Sequence, residues 1–421
     1  MFKMNKLNGI SYAFEKLPKG FQKYCSGNNQ IKAQHTALYD FHKKNGGKMV
    51  NFGGYILPVQ YADQSIVSSH LHTRHHASIF DVSHMLQTYV RGKDAIPCIE
   101  SLCTADIKGM TFGTSSLTIF TNDNGGILDD LIVSKIDDEQ LYIVSNAAMK
   151  FQDMEIMEKA KNRFNADGKN VDIEFLSTSD QSLIAIQGPR GVRSLEKFLP
   201  KPKILNELYF LHTTVSEVAG IPKCRITRCG YTGEDGVEVS VPSTHVEYLT
   251  EALLETNEHL KMAGLGARDT LRLESGLCLY GKDITDETTP VEAGLAWLIA
   301  RRRRNERDFP GSDRILSQLN KLTGEISHCR IGLVMCGKNK TPPARAGVKI
   351  YYKDKEVGFI TSGCISPSLE KNIAMGYILE DHINISNKMV HLKIRDNLYD
   401  AIITRMPFVK PNYFNKPKEL I

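Results

Sequence analysis

Asp129 and Asp130 stand side by side in Gly125-Gly126-Ile127-Leu128-Asp129-Asp130-Leu131-Ile132-Val133, where a glycine turn runs into alternating aliphatics. Two further segments set charge beside glycine: Arg228-Cys229-Gly230-Tyr231-Thr232-Gly233-Glu234-Asp235-Gly236-Val237-Glu238 and Gly264-Leu265-Gly266-Ala267-Arg268-Asp269. Each brings a carboxylate or a guanidinium to the end of a strand or helix, where turns hold side chains toward a cleft. A small-molecule site is built in this way.

Side chains alternate along a strand, so Asp130 shares a face with Leu128 and Ile132, and Asp129 shares the other with Ile127 and Leu131. An acid between two large aliphatics either sits at a strand end in a cleft or is half-buried with a raised pKa. The plainer reading is an acid pair at a strand edge that discourages aggregation. Glu238 lies in Val237-Glu238-Val239-Ser240, either as a surface residue or as a carboxylate able to accept two neighbouring N–H groups from a ligand edge. Arg268 begins an expected helix that runs to about Ser275. Near Glu238, its guanidinium would hold that carboxylate ionised; otherwise it pairs with Asp269 or Glu274 on a solvated face. Gly264-x-Gly266 is no dinucleotide fingerprint, because Asp269 occupies the third glycine position and no βαβ pattern surrounds it.

The elements that position these residues are legible in outline. Ser115 to Asn146 reads as strand, turn, strand, turn, strand, a β-meander. A helical pattern follows from Ala148 to Asn165, then a strand ending at Gly188-Pro189 and a helix around His245 to Glu255. Beyond Asp308-Phe309-Pro310-Gly311 the chain turns to short strands with tight turns, which a small β-barrel accommodates. The expected class is α+β, multi-domain, with a C-terminal β-barrel: a leader over 1–35, a two-part catalytic region over 36–320, and a barrel over 325–421, with the boundary near residue 325.

The 421 residues, 41% hydrophobic and 24% charged, fit a globular protein of two or three domains. No apolar run reaches the ~18 residues of a membrane span. A net charge of +5, dispersed among 48 acidic residues, gives no reason to expect nucleic acid. The nine cysteines include no Cys-x-x-Cys pair, so reduced thiols in a cytosolic or mitochondrial compartment are expected. The first ~35 residues hold six lysines and the single acid Glu15, which fits a mitochondrial transit segment, although they contain no Arg, or else a basic tail without an address.

The three segments occur in one order with Leu38-Tyr39-Asp40-Phe41-His42, Phe80-Asp81-Val82-Ser83-His84-Met85, Val144-Ser145-Asn146-Ala147, Gly276-Leu277-Cys278-Leu279-Tyr280-Gly281 and Met406-Pro407-Phe408-Val409. Together they closely resemble the aminomethyltransferases of the glycine cleavage system, the T-protein family, from about Thr36 to about Phe414. The resemblance implies a folate-binding fold and a defined reaction. The methylene carbon of an aminomethyl group on lipoylated H-protein passes to tetrahydrofolate, ammonia is released and 5,10-methylenetetrahydrofolate forms. Tetrahydrofolate is then the acceptor substrate, no metal is needed, the P- and L-proteins act in the same pathway, and the location is the mitochondrial matrix.

By the same resemblance Asp130 matches the catalytic acid and Glu238 a pterin ligand. Arg268, Asn146, Arg330 and Tyr413 match folate or substrate contacts, and Met85 lines the pocket. Arg330 and Tyr413 come from the barrel end, which would place the site between domains. Tyr55 departs from the family, which commonly has Trp there. The alternative is a folate-binding iron–sulfur cluster assembly factor on the same fold, but its Lys-Gly-Cys-x-x-Gly-Gln-Glu segment is replaced by Ser275-Gly276-Leu277-Cys278-Leu279-Tyr280-Gly281-Lys282.

Two clusters invite other readings. His72 and His76 share a helix face with spacing that could bind zinc, yet no His-Glu-x-x-His pattern accompanies them. Arg301-Arg302-Arg303-Arg304 reads as a solvated face, or, more sharply, as a docking patch for acidic H-protein.

Overall fold

The computed structural model describes residues 33–320, 326–337, 341–379 and 388–417. Almost all of the expected leader and the boundary near residue 325 lie outside the described residues.

Ile127–Lys135 is a strand with the expected alternation: Ile127, Asp129 and Leu131 are buried, while Leu128, Asp130 and Ile132 are half-buried. Asn122 builds the turn before it, its Oδ1 accepting from the N–H groups of Asn124 and Gly126, both at 2.9 Å. Gly126 is required there, since a Cβ would lie 1.8 Å from the Asp286 carbonyl oxygen. Ile127 N–H donates to Thr288 O at 3.0 Å. The strand bearing both aspartates therefore starts from a clamped point.

This strand is part of an antiparallel sheet that runs Thr114–Thr121, Ile127–Lys135, Gln140–Ser145, Leu86–Arg91, Asp172–Leu176. A second sheet runs Thr213–Val218, Ile221–Thr227, Gly236–Pro242, Gln181–Gln187, Ala77–Asp81, Leu260–Met262, and only its last pair is parallel. Each sheet buries one face against helices. Leu131, Val133, Leu141 and Ile143 cluster with Met157, Ala160 and Phe164 of helix Lys150–Ala166. Val237, Val239 and Val241 cluster with Leu249 and Leu253 of helix Val246–Thr256. Each such side chain, fully buried, contributes roughly 1.5–3 kcal/mol of transfer free energy. Period-two alternation leaves the opposite faces, with Asp130, Ile132 and Ser134 on one sheet and Glu238 and Ser240 on the other. Ile132, Ser134, Glu238 and Ser240 line one cleft with Tyr142, Val144, Leu183 and Arg225.

A three-stranded sheet precedes these two, in the order Gln34–His35, Tyr55–Tyr61, Gly47–Phe52. Tyr55 is buried in it with Leu57 and Leu265, and its hydroxyl accepts from Lys150 Nζ at 3.2 Å. The phenol thus has both packing and a partner at the position where Trp was expected.

His328–Met335, Lys371–Leu379, Lys355–Ser366, Lys349–Tyr352, Met389–Ile394 and Asn397–Thr404 close into a six-stranded barrel around Leu333, Ile350, Val357, Ile360, Ile378, Leu392 and Ile403. Closure leaves no free sheet edge. Two buried acids join the barrel to the sheets. Asp283 accepts from Arg272 Nη1 at 2.7 Å and Thr361 Oγ1 at 2.6 Å, and its carbonyl accepts from the Tyr377 hydroxyl at 2.6 Å. Glu274 accepts from Ser366 Oγ, Ser368 N, Ser368 Oγ and Arg74 at 2.5–3.0 Å. Buried carboxylates are tolerable only when so completely partnered.

Candidate active site

Asn146 ends the third meander strand and turns into the helix beginning at Lys150. Its backbone N–H donates to Asp129 Oδ2 at 3.0 Å. Its side-chain Nδ2 donates to Asp129 Oδ1 at 2.9 Å, to the Asp130 carbonyl at 2.9 Å and to Asp130 Oδ1 at 3.1 Å. One amide thus fixes both members of the acid pair. Burial pushes the Asp130 carboxyl up to about 6, against the Asn146 hydrogen bond, which lowers it. A carboxyl tuned there exchanges a proton near neutral pH. The Asp pair is no aggregation-blocking edge, since its strand is hydrogen-bonded on both sides.

Glu238 faces the cleft between Ala185 and Thr227 of the flanking strands. Arg268 lies on helix Leu265–Glu274, whose Leu265, Ala267 and Leu271 are buried. Gly264 lets that helix start tightly, since a Cβ there would meet the Val59 carbonyl oxygen at 2.5 Å. The Arg268 guanidinium favours the ionised form of Glu238, as expected, against the larger effect of burial. Burial raises the Glu238 pKa, Arg268 offsets only part of it, and among the described residues no ion pair within 4 Å joins the two. Arg268 lies over the Tyr231 ring, Cζ 4.7 Å from the centroid, and its buried Nη1 has no hydrogen-bond partner among the described residues. It is not spent on Asp269 or Glu274 either, which pair with Arg272 and Arg74. A buried donor and a buried carboxyl whose pKa is raised are groups that a polar ligand would satisfy.

The remaining expected residues lie at the border with the barrel or on the sheet. Arg330 donates from Nε to the Ala293 carbonyl at 2.6 Å and from Nη1 to the Gly276 carbonyl at 3.0 Å. Tyr413 stacks on Phe210 with centroids 4.1 Å apart. Its neighbour Asn412 donates to Glu234 Oε2 at 3.0 Å. Met85 is half-buried against Phe80, Leu183, Ala267 and Val144. Of the expected residues Glu238 lines the cleft, Asp130 lies on the same strand face as its lining residue Ile132, and Asn146 holds Asp130, while Arg268 acts on Glu238 electrostatically.

The sequence did not single out Tyr231, Cys229 or Asp153. The Tyr231 hydroxyl donates to the Cys278 carbonyl, and its ring lies within the electrostatic reach of both Asp130 and Arg268. Cys229 is buried beside Glu238. Asp153 is fully buried next to Asp129. Their charge-bearing neighbours are visible only in three dimensions.

Both tempting clusters resolve differently. His70 bonds Thr270 and Glu274, His72 bonds the His259 carbonyl, and His76 stacks on His259. Among the described residues no three His, Cys, Asp or Glu side chains are arranged to hold a metal ion. The arginine run is divided: Arg301 and Arg304 are exposed, Arg302 is half-buried and Arg303 is buried. Arg302 pairs with Glu100, Asp106 and Glu306, Arg303 is fully buried against Asp308 and the Glu100 carbonyl, and Arg304 caps Ile299 and Ala296 carbonyls. Buried guanidinium donors seek carboxylates and carbonyls, so Arg302 and Arg303 turn toward the protein while Arg301 and Arg304 stay at the surface.

Family models match twice, as "GCVT N-terminal domain" over residues 38–303 and "Glycine cleavage T-protein C-terminal barrel domain" over 329–410. The chain is 45% identical over 382 residues to the mitochondrial aminomethyltransferases of Mus musculus and Homo sapiens, covering 90% of this chain and 91% of each relative. It is 41% identical to that of Mesembryanthemum crystallinum, covering 92% of both. Its fold is similar to the glycine cleavage system aminomethyltransferase T of Bartonella henselae, with TM-score 0.81 and 33% identity over 91% of this chain and all of that one.

Proposed function

The chain belongs to the glycine cleavage T-protein family of aminomethyltransferases, and from that membership we propose how its own residues serve the transfer. The reaction moves a methylene carbon from the aminomethyl group on the lipoyl sulfur of H-protein to tetrahydrofolate. The carbon–sulfur and carbon–nitrogen bonds break, ammonia departs, and two bonds to folate nitrogens form. The products are 5,10-methylenetetrahydrofolate and dihydrolipoyl H-protein.

The observation that supports this reading is the half-buried Asp130, held by Asn146 on the face that leads into the Glu238 cleft. In it, Asp130 orients the folate amine and passes a proton toward the departing ammonia. Glu238 accepts the neighbouring N–H groups of the pterin edge, and a donor pair bound there would favour its ionised form against the burial that raises its pKa. Arg268 offers its unpartnered Nη1 to substrate, Met85 contributes pocket wall, and Arg330 and Tyr413 hold the barrel side of the site. The dry, oriented cleft supplies most of the rate by positioning. No observation favours the iron–sulfur assembly alternative.

The reading extends to partners, place and organisation. Lipoylated H-protein is the donor, the P- and L-proteins act in the same pathway, and the protein works in the mitochondrial matrix after loss of a leader within residues 1–35. The catalytic region covers 36–320 and the barrel 325–421. Ammonia release from aminomethyl-loaded H-protein, with and without tetrahydrofolate, tests the function. Release that depends on folate is expected; release that ignores folate would overturn it.

A further inference from the structure

Helix Lys150–Ala166 turns Asp153, Met157, Ala160 and Phe164 inward, at positions i, i+4, i+7 and i+11 of one stripe. Three of these are apolar and belong to the core beneath the meander. Asp153 is the exception: it is fully buried, and neither of its carboxyl oxygens receives an N–H or O–H donor from the described residues. The neighbouring Ser145 hydroxyl, buried too, draws the Asp153 pKa down but does not offset burial. What Asp153 does lie against is Asp129, whose pKa it helps to raise.

Two buried carboxyls can make that contact only if one of them keeps its proton, because two carboxylates in low dielectric repel and neither can donate. Among the described residues no cation forms an ion pair with either of them. Lys150 near the start of the same helix is directed to the Tyr55 hydroxyl, and the other titratable groups around the pair are Asp130 on the same strand and Tyr280 from the loop that follows helix Leu265–Glu274. Asp129 in turn receives both Asn146 donors, and the same Asn146 amide holds Asp130.

We propose that Asp153 and Asp129 form a carboxylic acid–carboxylate pair sharing one proton, and that Asp153 is a positioning residue which, through Asp129 and Asn146, sets the orientation of Asp130. The pair is a strut built of acids: the shared proton lets Asp129 remain an acceptor for Asn146 without placing two negative charges behind the reacting carboxylate. The pKa directions agree, with burial pushing Asp153 up to about 7 and Asp129 well above its ordinary value.

This rests on the role given to Asp130, and its test has one arm that needs no substrate. Asp153→Ala and Asp153→Asn are made in the full-length protein; the amide of Asn can donate to Asp129 but cannot titrate. With aminomethyl-loaded H-protein, Asp153→Ala is expected to lose about tenfold in kcat with the KM for tetrahydrofolate changed less than about twofold, and Asp153→Asn to recover most of that loss. Thermal midpoints of wild type and Asp153→Asn are then compared between about pH 5 and pH 8. A carboxyl with a raised folded pKa binds its proton more tightly folded than unfolded, so stability falls as pH climbs from the unfolded value toward the folded one. The wild type should therefore lose Tm relative to Asp153→Asn over that range. An alanine variant with wild-type kcat, an Asn variant that falls as far as Ala, or a Tm difference independent of pH would each overturn the proposal. Absence of folate-dependent release by the wild type would instead remove the assigned role of Asp130 and leave the Tm comparison to decide the shared proton.

Discussion

The Asn146 amide reaches the carboxylate of Asp130 at 3.1 Å while also holding its backbone carbonyl at 2.9 Å. One side chain thus fixes the position of the acid and opposes the burial that raises its pKa. Removing it in Asn146→Ala takes away a hydrogen bond that lowers the Asp130 pKa, so that pKa rises further above about 6. The acid limb of kcat against pH should shift to higher pH, and kcat at neutral pH should fall about tenfold. A pH–rate profile with an unmoved acid limb would contradict this.

Glu238 is disposed to bind, not to react. Glu238→Gln keeps the shape but replaces one acceptor oxygen by a donor, leaving a ligand N–H without a partner. An increase of about tenfold to a hundredfold in the KM for tetrahydrofolate, with kcat less affected, is expected from steady-state kinetics.

Glu274 ties His70, Arg74 and the barrel residues Ser366 and Ser368 together. Burial would raise its pKa, but these partners prevail and hold it down at about 2. A depressed carboxyl contributes stability that is present above its unfolded pKa and lost as pH falls through the folded one. Between about pH 4.5 and pH 2 the wild type should therefore lose about 3 kcal/mol that Glu274→Gln lacks at every pH. Chemical denaturation at several acidic pH values measures this.

Asp283 joins helix Leu265–Glu274 to the barrel through Arg272 and Thr361. Asp283→Ala leaves a buried guanidinium short of its partner and should cost roughly 3 kcal/mol. Differential scanning calorimetry should record the loss as a Tm lowered by several degrees.

The meander, the helices and the barrel strands were legible because their alternation and turn residues are local signals. Asp130 on a cleft-side face follows from counting by twos along Ile127–Lys135. The state of Glu238 was not legible, because it is set by burial against Arg268, a balance that no residue spacing reveals. The arginine run misled for the same reason: Glu100 and Asp106, two hundred residues earlier, turn Arg302 and Arg303 inward. Asp153 left a trace in its register with Met157, Ala160 and Phe164, hidden by the mixed charge of the rest of that helix.

The central claim is that Asp130 serves the transfer from this site. Ammonia release from aminomethyl-loaded H-protein should be measured with and without tetrahydrofolate for wild type and Asp130→Asn. Folate-dependent release by the wild type that falls at least about a hundredfold in a folded Asp130→Asn is the predicted result. A variant that releases ammonia at the wild-type rate would contradict it.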